Sequence, residues 1–164
     1  MNDFELKCTQ LVEQLAEMLK AQQRMLVTAE SCTGGWIAKS CTDIAGSSEW
    51  FERGFVTYSN KAKQQMIGVS TATLEANGAV SEAVVAEMAA GALLHSPADL
   101  AVAISGIAGP GGGSKEKPVG TVCFAWASGK KIFTVREQFE GDRDAIRKAA
   151  VLYALEGLIR HVLD

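Results

Sequence analysis

The chain has 164 residues, about the length of one domain, and can bury roughly 70% of the surface its unfolded form exposes without a disulfide or metal staple. Hydrophobic residues make up 48% and charged residues 21%, which excludes a disordered chain. The net charge is −3 and basic runs are lacking, which argues against a nucleic-acid binder but leaves room for one small anionic ligand.

Residues 3–22 carry Phe4, Cys8, Leu11, Val12, Leu15, Met18 and Leu19 at spacings of three and four, the pattern of an amphipathic helix. Met25 to Ala29 is a short apolar strand running into Glu30-Ser31-Cys32-Thr33-Gly34-Gly35. A helix is expected from Trp36 to Ile44, a loop at Gly46-Ser47-Ser48, a strand from Phe51 to Tyr58 and a short helix from Asn60 to Gly68. Ser70 and Ser81 have the residue type of N-caps, and Glu82 to His95 reads as a helix with Val84, Val85, Met88, Ala92 and Leu93 inward. Leu100 to Ser105 is strongly apolar, as a strand buried on both faces would be, and empties into the glycine-rich run from Gly106 to Ser114. Val119–Ala127 and Lys131–Phe139 read as antiparallel partners around Gly129, and Gly141-Asp142 opens a last helix reaching about Val162. Strands alternate with helices and then form a hairpin. That order predicts a single domain, residues 1–164, folded as a three-layer α/β/α sandwich with a mixed, mostly parallel sheet. Ligands in such folds sit at the carboxyl ends of strands, where segments 30–35 and 106–113 fall.

The longest apolar stretch, Leu100 to Gly109, is about half a membrane span, and Met1 to Lys7 has an acid where a signal peptide needs base. A soluble cytoplasmic protein with no membrane partner is therefore expected. The four cysteines contain no C-x-x-C pair, so no metal site is expected, and without an export signal no disulfide is expected either. With only His95 and His161, both near helix ends, acid–base chemistry is expected to run without histidine.

Ser31 stands where a buried strand turns into a helix. Its hydroxyl faces the carboxyl edge of the sheet, and the N–H groups around Thr33, Gly34 and Gly35 can hold an anion or a developing oxyanion. Two uses remain open, nucleophile or plain helix cap. Cys32 is a rival nucleophile, because a helix N-terminus lowers a thiol's pKa; otherwise it is a small buried hydrophobe. In Tyr58-Ser-Asn-Lys-Ala-Lys63 a desolvated lysine can take a serine's proton, with Tyr58 orienting it or relaying the proton; the plain alternative is a solvated lysine pair. Gly106, Gly109, Gly111 and Gly112 let backbone N–H groups approach a phosphate, though the P-loop ending is missing; the plain alternative is a flexible connection. Arg143 and Arg147, one turn apart at a helix start where base opposes the dipole, are the other candidate phosphate ligands; the plain alternative is a solvated helix face. Trp50, Trp126 and Phe139 read as core.

Six segments occur in order: Thr28-Ala-Glu-Ser-Cys-Thr-Gly-Gly35, Tyr58-Ser-Asn-x-x-Lys63, Gly78-Ala-Val-Ser81, Ser105-Gly-Ile-Ala-Gly-Pro110, Lys117-Pro-Val-Gly-Thr-Val122 and Gly141-Asp-Arg143. Together they resemble the nicotinamide mononucleotide deamidase family, the carboxyl-terminal domain of the competence-damage protein CinA, over about residues 10 to 160. The resemblance implies hydrolysis of the nicotinamide amide of nicotinamide mononucleotide to nicotinic acid mononucleotide and ammonia, in pyridine nucleotide (NAD) recycling. It implies an α/β/α fold, a homodimer and no metal or cofactor. It places Ser31 at the family's nucleophile, Lys63 at its general base and Tyr58 at its assisting hydroxyl. Lys61 departs from the acidic or neutral residue common at that position. A non-catalytic nucleotide-binding regulatory module, with Ser31 as a phosphate ligand, is the alternative reading.

Overall fold

The computed structural model describes residues 1–162. Its elements run α1 (Asp3–Gln22), β1 (Leu26–Glu30), α2 (Trp36–Thr42), β2 (Phe51–Val56), α3 (Asn60–Ile67), α4 (Thr71–Asn77), α5 (Glu82–Leu94), β3 (Leu100–Gly106), β4 (Thr121–Ser128), β5 (Lys131–Gln138) and α6 (Arg143–Val162). The sheet order is β2-β1-β3-β4-β5. β2, β1 and β3 are parallel, and β4 and β5 extend the sheet antiparallel, as expected from strand–helix alternation ending in a hairpin. None of the described helices is long and apolar enough to cross a membrane.

Strand periodicity sorts side chains between two helical layers. Leu100, Val102 and Ile104 of β3, with Val122, Phe124 and Trp126 of β4, pack against α1, α2 and α6. The alternate positions, Ala101, Ala103, Cys123, Ala125 and Ala127, are small and pack against α3, α4 and α5. The small face lets α5 lie close across the sheet. Two glycines permit helix contacts of the same kind. A Cβ on Gly91 of α5 would stand 1.8 Å from the Ile67 carbonyl oxygen, and one on Gly157 of α6 would stand 2.1 Å from the Trp126 ring. Trp50 and Trp126 are core residues, as their type suggested, and Phe139 packs on the edge of that core.

The caps obey residue chemistry. Asn2 and Glu5 form a capping box on α1, and the hydroxyls of Ser70 and Ser81 accept the N–H groups of Thr73 and Val84. Helix α4, between those two serines, is an element the apolar pattern does not announce. β2 stops at Val56, two residues short of the expected end. Beyond it the carbonyls of Thr57 and Tyr58 turn to the Lys63 amine.

Candidate active site

Three parallel strands deliver the site. β1 ends at Glu30 opposite Ile104 of β3, and the Ser31 N–H continues the ladder to the Ile104 carbonyl at 3.0 Å. The segments after β1, β2 and β3 then converge at the carboxyl edge, beside the central strand where the chain's connections diverge. A cleft of about 230 Å³ opens there, lined by Ser31, Cys32, Tyr58, Lys63, Gly106 and Arg143, among others.

Lys63 lies on α3 and is 1% exposed. Its Nζ stands 2.9 Å from Ser31 Oγ, 2.9 Å from the Thr57 carbonyl oxygen and 3.0 Å from the Tyr58 carbonyl oxygen. Carbonyls only accept, so they take two N–H groups of the amine. The third tetrahedral position faces Ser31 Oγ. In a neutral amine that position is the lone pair, and Ser31 supplies the hydroxyl in front of it. Burial holds the Lys63 pKa below its ordinary value, which favours that neutral form. Lys61, by contrast, is exposed.

The cap alternative for Ser31 does not hold. The N-cap of α2 is Gly35, which makes no side-chain cap bond, and Ser31 Oγ lies between Lys63 Nζ and, at 3.3 Å, the Tyr58 carbonyl. The capping is done by Glu30, a residue to which the sequence gives no role beyond its place in the motif. Its carboxylate, 1% exposed, accepts the Thr33 hydroxyl at 2.7 Å and the N–H groups of Ile37 and Ala38 at 2.8 and 3.0 Å. The Gly35 N–H also faces the carboxylate, as its weakest donor. Desolvation raises the Glu30 pKa, opposed by these four donors. The available signal is an acid closing an otherwise apolar strand directly before a helix.

This carboxylate changes the expected oxyanion donors. The Gly35 N–H serves Glu30, and the Gly34 N–H closes a turn on the Ser31 carbonyl at 3.0 Å. The amides of Cys32 and Thr33 are the two of this turn that neither a carbonyl nor a carboxylate of the described residues takes. Gly34 and Gly35 matter for another reason: their φ values of 61° and 97° are left-handed, where a side chain is strained.

The other expected residues separate. Tyr58 contributes its carbonyl, while its side chain is 62% exposed at the rim. Cys32 lines the cleft, but burial pushes its thiol up to about 12, which disfavours a thiolate at neutral pH. Gly106 lines the cleft, whereas Gly111 and Gly112 lie exposed in the loop beyond it. Gly109 is buried; its carbonyl accepts from Arg143 Nη1 at 2.8 Å. Arg143 thus reaches the cleft and Arg147 does not. The Arg147 guanidinium binds the Cys32 and Thr33 carbonyls from the opposite side of the turn. Ser105, Asn60, Ala79 and Val80 also line the cleft, although nothing in their residue types marks them as site residues.

Residues 8–162 match the CinA C-terminal domain family. The chain belongs to that family. Across its length it is 62% identical to nicotinamide-nucleotide amidohydrolase PncC of Escherichia coli (strain K12), over 100% of this chain and 99% of that protein. It is 50% identical to the protein of the same name from Pseudomonas putida, over 93% and 95%. A CinA-like protein of Akkermansia muciniphila is 54% identical over 86% of this chain but only 34% of its own length, so in that relative the CinA domain is one part of a longer chain. The crystal structure of the competence/damage inducible protein CihA from Agrobacterium tumefaciens superimposes with a TM-score of 0.93 at 46% identity, covering 96% of each chain.

Proposed function

We propose that this chain hydrolyses the carboxamide of nicotinamide mononucleotide, giving nicotinic acid mononucleotide and ammonia for pyridine nucleotide recycling. The observation that carries the reading is the buried Lys63 amine 2.9 Å from Ser31 Oγ at the cleft. The names of the full-length relatives supply the substrate class.

Neutral Lys63 takes the Ser31 proton as Oγ bonds to the carboxamide carbon. The N–H groups of Cys32 and Thr33 receive the oxyanion, each such donor being worth about 3 kcal/mol. The Lys63 ammonium then protonates the departing nitrogen, the C–N bond breaks and ammonia leaves. Water, deprotonated by the same amine, attacks the ester carbon; the C–Oγ bond breaks and Ser31 regains its proton. The cleft is smaller than the roughly 300–1,000 Å³ of drug-sized sites, so it suits the reacting end of the nucleotide, with the phosphate toward Arg143 and Gly106 at its margin. The enzyme works as a cytoplasmic homodimer without a cofactor, the dimer being measurable by light scattering.

The test is ammonia release from the mononucleotide by wild type and by Ser31→Ala. Wild type is expected to turn over and the variant to bind without turnover. A wild-type protein that binds the nucleotide and releases no ammonia would be a regulatory binding module instead.

A further inference from the structure

Arg143 and Arg147 lie one turn apart on α6, yet they face different clefts. Arg143 lines the Ser31 cleft, while Arg147 lines a second cleft of about 590 Å³ on the far side of the 31–35 turn, beside Trp36. Arg147 Nε donates to the Cys32 carbonyl at 3.0 Å and Nη2 to the Thr33 carbonyl at 3.2 Å. Its guanidinium carbon stands 5.1 Å from the centroid of the Trp36 ring. A planar fork with two acceptors and a ring beneath it has little freedom to turn.

A trans peptide unit is planar, so its C=O and N–H point in opposite directions. Holding the Cys32 carbonyl toward Arg147 therefore points the Thr33 N–H away from Arg147. Ser31 and Cys32, at one end of this peptide, line the catalytic cleft, while Thr33, at the other, is buried and lines the second cleft, so the peptide bridges the two. Holding the Thr33 carbonyl in the same way sets the next N–H, that of Gly34, which closes on the Ser31 carbonyl. A cation at a carbonyl also polarises its peptide and strengthens the N–H as a donor.

Resting on the amidohydrolase reading above, we propose that Arg147 is a positioning residue that aims the Thr33 N–H at the oxyanion formed when Ser31 attacks, and does not hold the substrate phosphate. The Cys32–Thr33 peptide is the lever between the two clefts.

Kinetics separate the two roles. Arg147→Met is compared with wild type for kcat and KM on nicotinamide mononucleotide. Both are then compared for the rate at which a fluorophosphonate, which carries no nucleotide, labels Ser31; its phosphoryl oxygen takes the oxyanion position. Losing one oxyanion donor costs about 10²–10³-fold, so misaiming one is expected to lower kcat by about 10–100-fold. KM should stay within about twofold, and labelling should fall in step with kcat. Arg147→Lys, which keeps a cation and loses the fork, should fall between. A raised KM with unchanged labelling would make Arg147 a phosphate ligand and overturn the proposal. Unchanged kcat and labelling in a folded variant would reduce it to a brace, with the same result. If Arg147→Met does not fold, Arg147→Lys decides the question by the same two readouts. A wild type that labels at Ser31 but releases no ammonia sinks the amide reading alone, and the labelling comparison still decides Arg147.

Discussion

Two buried ionisable side chains flank the 30–35 turn, and they do opposite things. Lys63 sees only oxygen: a hydroxyl and two carbonyls. Glu30 sees only donors: the Thr33 hydroxyl and three backbone amides. Burial pushes both toward their neutral forms, Lys63 downward and Glu30 upward. The partners of each group set its role. Neutral Lys63 still satisfies both carbonyls and turns a lone pair to Ser31, so it exchanges a proton without disturbing its surroundings. A protonated Glu30 would lose acceptor capacity in front of four donors, so it stays an anchor. Equal burial thus yields a base on one side of the turn and a fixed post on the other.

The comparison breaks most visibly at the dyad. Ser31→Ala and Lys63→Met are expected to lower kcat by about 10⁴-fold or more while the fold survives, read by ammonia release and thermal melting. Wild-type rate should rise with pH along a limb whose midpoint lies below the ordinary lysine value, and Lys63→Met should lose that limb. The linked stability has a definite sign. With the folded pKa of Lys63 lowered, the unfolded chain binds more protons between the folded and unfolded values, so stability rises with pH across that window. Lys63→Met should flatten that rise; a variant with the same slope would show that Lys63 is not the depressed group.

Glu30→Ala tests the other side, and there the first effect is on stability. Four donors lose their acceptor, at about 1–3 kcal/mol for each that stays buried and unpaired, so urea denaturation should show a loss on the order of 3–5 kcal/mol. A loss below about 1 kcal/mol would mean that water or another side chain replaces the carboxylate without difficulty. Arg143→Met should act on KM, raising it about tenfold for the mononucleotide with kcat little changed, since a charge-assisted contact contributes about 1.5–3 kcal/mol. Equal KM values for variant and wild type would move the phosphate elsewhere. The smallest effects belong to Cys32→Ala and Lys61→Met. A thiol held near 12 supplies no nucleophile and Lys61 is exposed, so both variants should keep most of the wild-type rate. A dead Lys61→Met beside a live Lys63→Met would reassign the base.

Much of the fold is legible in the sequence because it rests on local periodicity. The α1 stripe, the strongly apolar β3 and the β4–β5 hairpin each announce themselves in a short window. Helix α4 does not, because Thr71–Asn77 has only Leu74 buried and no stripe to read. Within the site, Ser31 and Lys63 are legible as residue types just beyond the ends of β1 and β2. The division of labour around them is not. Tyr58 is expected to act through its hydroxyl, and the packed molecule also turns its carbonyl to Lys63. Glu30 gives only the faint signal of an acid closing an apolar strand, because an acid beside a nucleophile reads as surface until its carboxylate is seen turned inward.

The sequence by itself determined the order of the strands and of the helices other than α4, the two sheet faces and the glycines that let the turn after β1 adopt left-handed dihedrals, since all of these depend on neighbours within a few residues. Only the tertiary structure decided which donors and acceptors were already taken. The Lys63 amine meets Ser31 across 32 residues of chain, and Arg147 reaches Cys32 across 115. Hydrogen-bond capacity is finite and is shared among groups brought together by folding. Whether an amide, a carboxylate or a guanidinium remains free for a substrate is therefore a property of the packed molecule and of no local segment.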